Sequence, residues 1–353
     1  MIPTQESIDA AWLTARLREA GHSGATVAEF TAERVGTGQL GTCIRYTMDV
    51  AGDDGAPRTL IGKFPSDDPA SRQTGVALKN YLKEVSFYRE MQARLSIATP
   101  KCYFADIDGD GPDFLLLLED MAPAEQGDQL AGCSEDVARA AVGQLVGLHA
   151  PTWCDESLRT LAWIDELGEE AAEMVRGLYS SQLEGFLGRY GGRLEADEAA
   201  IIERVGASTA VFQRPRDVFA LVHVDYRLDN LLIDTSGDTP AITVVDWQSL
   251  TIGSPLADVA YFIGAGLVPE TRRPVEERLV RGYHDALVAA GVGDYGWQRC
   301  WEDYRRGSFA GFFVTVVASM IVVQTDRGDE MFTAMAKRHS RHALDLGADE
   351  FLD

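Results

Sequence analysis

The chain has 353 residues, 46% of them hydrophobic, and a formal net charge of -23. This acidic balance argues against non-specific nucleic-acid binding, which needs a basic face, and against binding to membrane surfaces through basic clusters. The length favours two domains or lobes with a sizeable core.

Cysteine usage and hydropathy favour a reducing compartment. The five cysteines are dispersed, and no Cys/His cluster has zinc-ligand spacing, which indicates free thiols. The start of the sequence lacks the basic and apolar regions of a signal peptide. The most apolar run, residues 309–323, is shorter than the roughly 20 residues of a membrane span. We therefore expect a soluble, cytoplasmic protein with a buried helix in that run.

The first third of the chain has mainly strand patterns. Residues 7–21 predict a helix with Ser7 as its cap, and residues 78–95 predict a second helix. Between them, from about residue 26 to 64, apolar and polar residues alternate as in strands. A further buried strand is expected at residues 114–118.

Gly36, Gly38 and Gly41 fit the pattern G-x-G-x-x-G. A dinucleotide-binding loop of this pattern opens into a helix, whereas the residues after Gly41 alternate as a strand. The loop therefore joins two strands, either as a phosphate-covering flap or as a simple hairpin turn. Glycines in a flap let backbone N–H groups approach phosphate oxygens without a Cβ clash.

Lys63 lies on the next apolar strand, where a phosphate-binding ammonium would be placed. Such an ammonium needs an anion to hold it, and Glu84 is the first candidate because it borders the apolar face of its helix. Glu90 is offset from that face and is the second candidate. A solvent-exposed strand lysine and a solvated helix glutamate remain the alternatives.

The strand at 114–118 runs into Glu119 and Met121, whose backbone C=O and N–H groups are candidates to bind adenine. Beyond them the chain becomes mainly helical, at about 134–149, 156–189, 195–211, 270–291 and 295–347. We predict an α+β two-lobe fold, with a nucleotide-binding lobe at residues 1–121 and a helical lobe at 122–353.

Residues 223–246 contain the motif that is most informative about function. It consists of Asp225, Asn230 five residues later, and Asp246 after an apolar strand. This spacing suits phosphoryl transfer. One carboxylate, Asp225, orients an attacking hydroxyl, while Asn230 and Asp246 hold Mg²⁺ on the phosphates of ATP.

Three further residues belong to this region. Arg227 lies between Asp225 and Asn230, where a cation offsets charge on the transferred group; a salt bridge to Asp229 is the alternative. His223 is expected to organise the loop rather than to catalyse. Asp258 caps a helix or braces the loop from below, and both roles are structural.

The chain resembles the aminoglycoside phosphotransferase superfamily, especially its choline-kinase-like and ecdysteroid-kinase-like branch. The matching motifs follow the family's order from about residue 30 to 261. They are Gly36-Thr-Gly-Gln-Leu-Gly41, Lys63, Glu84-Val-Ser-Phe-Tyr-Arg-Glu90, Leu116-Leu-Leu-Glu-Asp-Met121, Leu148-His149-Ala, His223-Val-Asp-Tyr-Arg-Leu-Asp-Asn-Leu-Leu232, Val245-Asp-Trp247 and Gly253-Ser-Pro-Leu-Ala-Asp258.

The resemblance implies a protein-kinase-like fold. It also implies ATP-dependent phosphorylation of a hydroxyl on a small molecule, with late helices forming the acceptor pocket. Val224 departs from it, because many relatives have Gly there, and the flap is richer in glycine than in many antibiotic kinases. Both departures weaken assignment to a specific resistance enzyme. The acceptor is open among aminoglycosides, choline-like alcohols, sterol-like alcohols and hydroxyacyl compounds, and the oligomeric state cannot be read.

Two rival functions need separate tests. A protein kinase carries a long activation segment, but only about a dozen residues separate Asp246 from Asp258. A catalytically inactive nucleotide-binding scaffold would have no need of Lys63, Asp225, Asn230 and Asp246 together, since buried polar groups are costly to keep.

Overall fold

The computed structural model describes residues 2–36, 40–166, 169–211 and 217–353, with only the backbone of 169–171. The chain divides into two compact units. The first comprises Met1–Arg94, Thr99–Pro123 and Val245–Ser249. The second comprises Leu95–Ala98, Ala124–Val244 and Leu250–Asp353. Asp246 thus belongs to the first unit, although it follows a strand of the second.

The first unit contains a five-stranded antiparallel sheet of order β1-β2-β3-β5-β4 within the described residues. Its elements are α1 (Ala10–Glu19), β1 (Thr26–Val35), β2 (Gly41–Ala51), β3 (Thr59–Pro65), α2 (Pro69–Ala77), α3 (Asn80–Ser86), β4 (Cys102–Ile107) and β5 (Phe114–Glu119).

Helix α1 begins later than the sequence pattern indicates. Its N-cap is Asp9, whose carboxylate accepts a hydrogen bond from Trp12 N at 2.7 Å, so the predicted cap at Ser7 is wrong. Ser7 instead ends a short 3₁₀ turn. Helix α3 continues through a π-helical turn, Phe87–Met91, within the predicted helix 78–95.

The second unit is mainly helical. Its elements are β6 (Glu125–Gln126), α4 (Glu135–His149), α5 (Glu169–Tyr190), α6 (Ala196–Ala207), β7 (Ala220–Val222), β8 (Leu231–Asp234), β9 (Ala241–Val244), β10 (Thr251–Gly253), α7 (Pro255–Gly266), α8 (Pro269–Arg272), α9 (Glu276–Ala289), α10 (Trp297–Gly307), α11 (Ala310–Phe313), α12 (Ser319–Ile321) and α13 (Asp326–Asp345).

Two small sheets carry the loops of interest in this unit. Strands β8 and β9 form an antiparallel hairpin with β6 on its edge, and β10 pairs with β7. The predicted helix at 156–189 is wrong in its first part, since Glu156–Thr160 is a 3₁₀ turn and α5 begins at Glu169.

Apolar residues of α5, α6, α11 and α13 form a buried core with Tyr261 of α7. The apolar run 309–323 lies in this region as short helical segments, with Val316 buried and Val323 exposed. Among the described residues, no helix is long and apolar enough to cross a membrane. The chain combines a β-sheet N-terminal region with a helical C-terminal region, and the predicted α+β class is confirmed.

Helix α4 packs closely on the segment Leu95–Ala98. Ser96 N donates to Gly147 O at 3.1 Å, and Ala98 N donates to the side chain of Gln144 at 2.7 Å. A Cβ on Gly147 would lie 2.5 Å from Ile97 N, a backbone atom that cannot rotate away. Gly143, one turn earlier, has no atom within 4 Å of the same position.

We predict opposite effects for alanine at these two glycines. Gly147→Ala should destabilise the protein by about 2 kcal/mol, because overpacking against backbone forces a shift. Gly143→Ala should stabilise it by about 0.5–1 kcal/mol, because alanine is the better helix former. Urea unfolding of both variants checks this, and equal effects of the two substitutions would contradict the described packing.

Candidate active site

The first unit places an ammonium group between two carboxylates. Lys63 lies on β3 opposite Cys43 of β2 and Leu116 of β5. Its Nζ is 2.7 Å from Glu84 Oε2 and 2.9 Å from Asp246 Oδ1. We call Lys63, Glu84 and Asp246 the lysine cluster. Glu84, and not the exposed Glu90, is the carboxylate of this helix in contact with Lys63.

The charges of the lysine cluster depend on one another. Burial alone would lower the pKa of Lys63, but the carboxylates of Asp246 and Glu84 raise it well above its usual value. Burial raises the pKa of Glu84, and the Lys63 ammonium opposes that effect. Removing either charge would leave its partner desolvated and uncompensated, which is strongly destabilising.

The segment after β9 is fixed by contacts with α3. The ring of Trp247 stacks on Phe87 with centroids 3.8 Å apart, and Asn80 Nδ2 donates to Gln248 O at 2.8 Å. Asp246 has a left-handed backbone with φ of 67°. Aspartate tolerates this region better than most residues, because its short polar side chain can bond locally. Here Asp246 Oδ2 accepts from Gln248 Nε2 at 3.1 Å.

The glycine-rich flap is described only at its ends. Gly36 has φ of +75°, which favours glycine, and Gly38 lies outside the described residues. Gly41 begins β2, where an added Cβ would lie 3.1 Å from Lys63 Cε and 3.2 Å from Phe64 O. A side chain at position 41 would therefore press on Lys63.

Glu119 and Met121 lie where β5 leaves the sheet. The backbone N–H of Glu119 donates to Lys101 O at 2.8 Å, and its carboxylate accepts from Lys101 N at 3.1 Å. Between the two, Asp120 is paired with Arg45 at 2.7 Å. These contacts hold the strand end in place, and the adenine-binding role of its backbone stays a prediction.

In the second unit, residues 223–230 form a loop that we call the catalytic loop. The carboxylate of Asp225 accepts hydrogen bonds from three side chains. Asn230 Nδ2 donates to Oδ2 at 2.9 Å and Tyr261 OH to Oδ1 at 2.9 Å, while Arg227 Nε lies 3.1 Å from Oδ1. Burial would raise the pKa of Asp225, but the charges of Arg227 and His223 and the Tyr261 hydrogen bond together lower it.

Arg227 contacts two acids of the loop. Its Nη1 donates to Asp229 Oδ2, so the salt bridge raised as the alternative role of Arg227 is present beside its contact with Asp225. Asp229 also accepts from Gln129 N at 3.1 Å, and Gln129 Oε1 accepts from Leu228 N at 3.0 Å. Arg227 thus links Asp225 to a fixed part of the loop.

Asn230 has its amide orientation set by two acceptors. Nδ2 donates to both Asp225 O, at 2.8 Å, and Asp225 Oδ2. The carbonyl oxygen Oδ1 is therefore the atom that can ligate a cation. Asn230 directly precedes Leu231, which pairs with Val244 in the β8–β9 hairpin, and Asp246 follows Val244 by two residues.

A buried aspartate holds the start of the catalytic loop. Asp258 accepts from His223 N at 2.7 Å and Val224 N at 2.9 Å, and His149 Nε2 lies 3.4 Å from its Oδ2. Val224 has φ of 73°, which is a strained conformation for a β-branched residue. Asp258 thus stabilises a left-handed backbone conformation that valine disfavours.

No group of three or more His, Cys, Asp and Glu side chains within the described ranges is arranged as a metal site. Mg²⁺ needs no such group, because it is commonly held by one or two carboxylates with waters and phosphates. Asn230 Oδ1 and the Asp246 carboxylate are hard oxygen donors of that type.

Sequence reasoning missed Tyr261 as a contact of Asp225. Tyr261 follows Asp258 by three residues on α7, so both lie on one helix face. That spacing is the signal that could have found it, since Asp258 was already expected to lie beneath the loop. Asn80 and Gln129 have no comparable signal, because both act through backbone contacts. No spacing indicates Gln248 either, although its Nε2 donates to Asp246 Oδ2.

The α+β fold and these motifs are those of kinase-like phosphotransferases. A family model described as "Phosphotransferase enzyme family" matches residues 52–300. The chain belongs to the phosphotransferase enzyme family, and the predicted assignment to this family and enzyme class is confirmed.

Solved structures of similar fold include choline kinase from Cryptosporidium parvum, with a TM-score of 0.55 and 11% identity over 96% of this chain and 95% of that one. A GDP complex of aminoglycoside 2'-phosphotransferase-IIIa has a TM-score of 0.52 and 12% identity over 94% and 99% of the two chains. A microcompartment-associated aminopropanol kinase has a TM-score of 0.52 and 13% identity over 96% and 98%. At these identities the likeness establishes the fold alone.

A mouse protein, acyl-CoA dehydrogenase family member 10, is 38% identical over 68 residues, or 19% of this chain. The chain's match spans only 6% of the length of that curated relative.

We predict that at position 224 a glycine variant is more stable than an alanine variant, which is the reverse of the usual order of stability. Val224→Ala keeps the left-handed strain, whereas Val224→Gly removes it, so the glycine variant should be about 1 kcal/mol more stable than the alanine variant. Chemical unfolding of both variants measures the difference. A more stable alanine variant would show that the loop does not hold position 224 in this conformation.

Proposed function

We propose that the protein is an ATP- and Mg²⁺-dependent phosphotransferase that phosphorylates a hydroxyl group of a small molecule. The observation that carries the proposal is the lysine cluster, where a buried ammonium is held by Glu84 on one side and Asp246 on the other. A lysine fixed in this way is a point charge suited to nucleotide phosphates. The first unit is proposed to bind the nucleotide and the second to bind the acceptor.

The residues present fit a magnesium ion. Asn230 Oδ1 and the Asp246 carboxylate would hold it, since the Asn230 amide nitrogen is already committed to Asp225. Bound Mg²⁺ would neutralise charge on the phosphates. Glu84 is proposed to keep Lys63 in place while Asp246 is engaged elsewhere, because Glu84 contacts Lys63 through both of its oxygens.

Asp225 is proposed to orient the attacking hydroxyl of the acceptor. Its pKa is lowered by Arg227, His223 and Tyr261 against the effect of burial, so it stands as a carboxylate that accepts a hydrogen bond. Arg227 is proposed to offset charge on the transferred group while it remains paired with Asp229.

The acceptor is proposed to be a small hydroxylated molecule. The similar structures are named for choline, aminoglycosides and aminopropanol. ADP release with ATP and Mg²⁺ should therefore be measured on amino alcohols, aminoglycosides, sterol-like alcohols and hydroxyacyl compounds. The acceptor that is phosphorylated should then be tested with GTP in place of ATP, which measures the nucleotide preference.

We predict that Asp225→Asn and Lys63→Ala lower activity in different ways. Asp225→Asn should lower kcat by about 10²–10⁴-fold with nearly unchanged nucleotide affinity, because the residue orients the acceptor. Lys63→Ala should weaken nucleotide binding as well. Glu29→Ala, at an exposed position of β1 in the same unit, is the control and should change neither value. Nucleotide binding without turnover on any acceptor would favour an inactive scaffold instead.

We also predict that turnover requires a divalent cation held by Asn230 and Asp246. Chelation with EDTA should abolish ADP release and added Mg²⁺ should restore it. Asn230→Ala should raise the Mg²⁺ concentration needed for half-maximal rate. A rate that is insensitive to EDTA would rule out the magnesium role.

A further inference from the structure

We propose that Tyr261 is a positioning residue that fixes the rotation of the Asp225 carboxylate and so sets how that group is presented to the acceptor hydroxyl. This inference rests on the proposed function, because it concerns how Asp225 orients its substrate. Tyr261 itself touches neither phosphate nor acceptor in this scheme.

The hydrogen bonds of Asp225 show how few directions remain. A carboxylate offers about four lone-pair sites. Tyr261 OH occupies one on Oδ1 at 2.9 Å, and Asn230 Nδ2 occupies one on Oδ2 at 2.9 Å. The single proton on Arg227 Nε lies between the two oxygens, at 3.1 and 3.2 Å. Three donors thus share the four sites, and the rotation in which they hold the carboxylate decides how it is presented to an incoming hydroxyl.

Tyr261 is the donor whose position is most strongly fixed by packing. It is fully buried on α7, and its ring stacks on the buried His339 with centroids 5.3 Å apart and an interplanar angle of 12°. His339 in turn fills space that two glycines leave open. A Cβ on Gly311 would lie 2.1 Å from His339 Cε1, and one on Gly264 would lie 3.1 Å from His339 Nδ1.

The other two donors have competing partners. Arg227 also binds Asp229, and Asn230 also donates to the Asp225 backbone and is the proposed cation ligand. Without the phenol, rotation about the terminal torsion of Asp225 would be restrained less, because such sp³–sp² torsions are broad. A phenylalanine at 261 would keep the ring packing and lose only the hydrogen bond.

The test compares Tyr261→Phe with Tyr179→Phe under saturating ATP, Mg²⁺ and the best acceptor from the panel. Tyr179 is equally buried in the same unit, but its OH donates to Ile202 O at 2.9 Å, away from the catalytic loop. Tyr261→Phe should lower kcat by about 10- to 100-fold with both KM values nearly unchanged, because a misplaced reacting group costs rate rather than binding. Tyr179→Phe should leave kcat unchanged, while both variants melt at similar temperatures.

A double-mutant cycle with Asp225→Asn separates positioning from a general structural effect. If Tyr261 acts through Asp225, Tyr261→Phe should have almost no further effect on kcat in the Asp225→Asn background. Additive losses, an unchanged kcat in Tyr261→Phe, or an equal loss in Tyr179→Phe would each overturn the inference. Absence of turnover in the wild-type protein on every acceptor would overturn the proposed function, and this inference with it.

Discussion

The ammonium of Lys63 is the charge on which the arrangement of the first unit depends. It is mostly buried on a central strand, and a buried ion is tolerated only when it is paired with good geometry. Glu84 from α3 and Asp246 from the segment after β9 supply the two carboxylates. A sheet, a helix and the segment after β9 are thereby held together by one cation.

The backbone is strained at two positions of the proposed site, one next to Asp225 and the other at Asp246 itself. Val224 and Asp246 both have left-handed backbone, which costs of order 1 kcal/mol or more for residues other than glycine. At Val224 the cost is offset by the hydrogen bond to Asp258, and around Asp246 by Trp247 stacking on Phe87. Strain of this kind persists only where the surrounding contacts determine the conformation, and here those contacts are buried.

The sequence allowed the fold class, the strand positions and the family to be predicted, because each depends on local periodicity or on motif spacing. Helix boundaries were less certain, since Asp9 and Ser7 are both good caps and only the tertiary packing of α1 chooses between them. The contact of Lys63 with Glu84 followed from the apolar face of one helix. The contact of Tyr261 with Asp225 joins residues 36 apart in the chain, and only the helical spacing of Tyr261 from Asp258 indicated it.

The β8–β9 hairpin lies in the chain between two residues that the proposal uses, Asn230 and Asp246. Asn230 lies directly before β8, and Asp246 comes two residues after β9 ends. Leu231 pairs with Val244 and both are fully buried, so the register is set by apolar residues. A slip of one residue would turn these side chains to the opposite face, which makes the register costly to change. The register of this short hairpin is therefore set by its own buried apolar side chains.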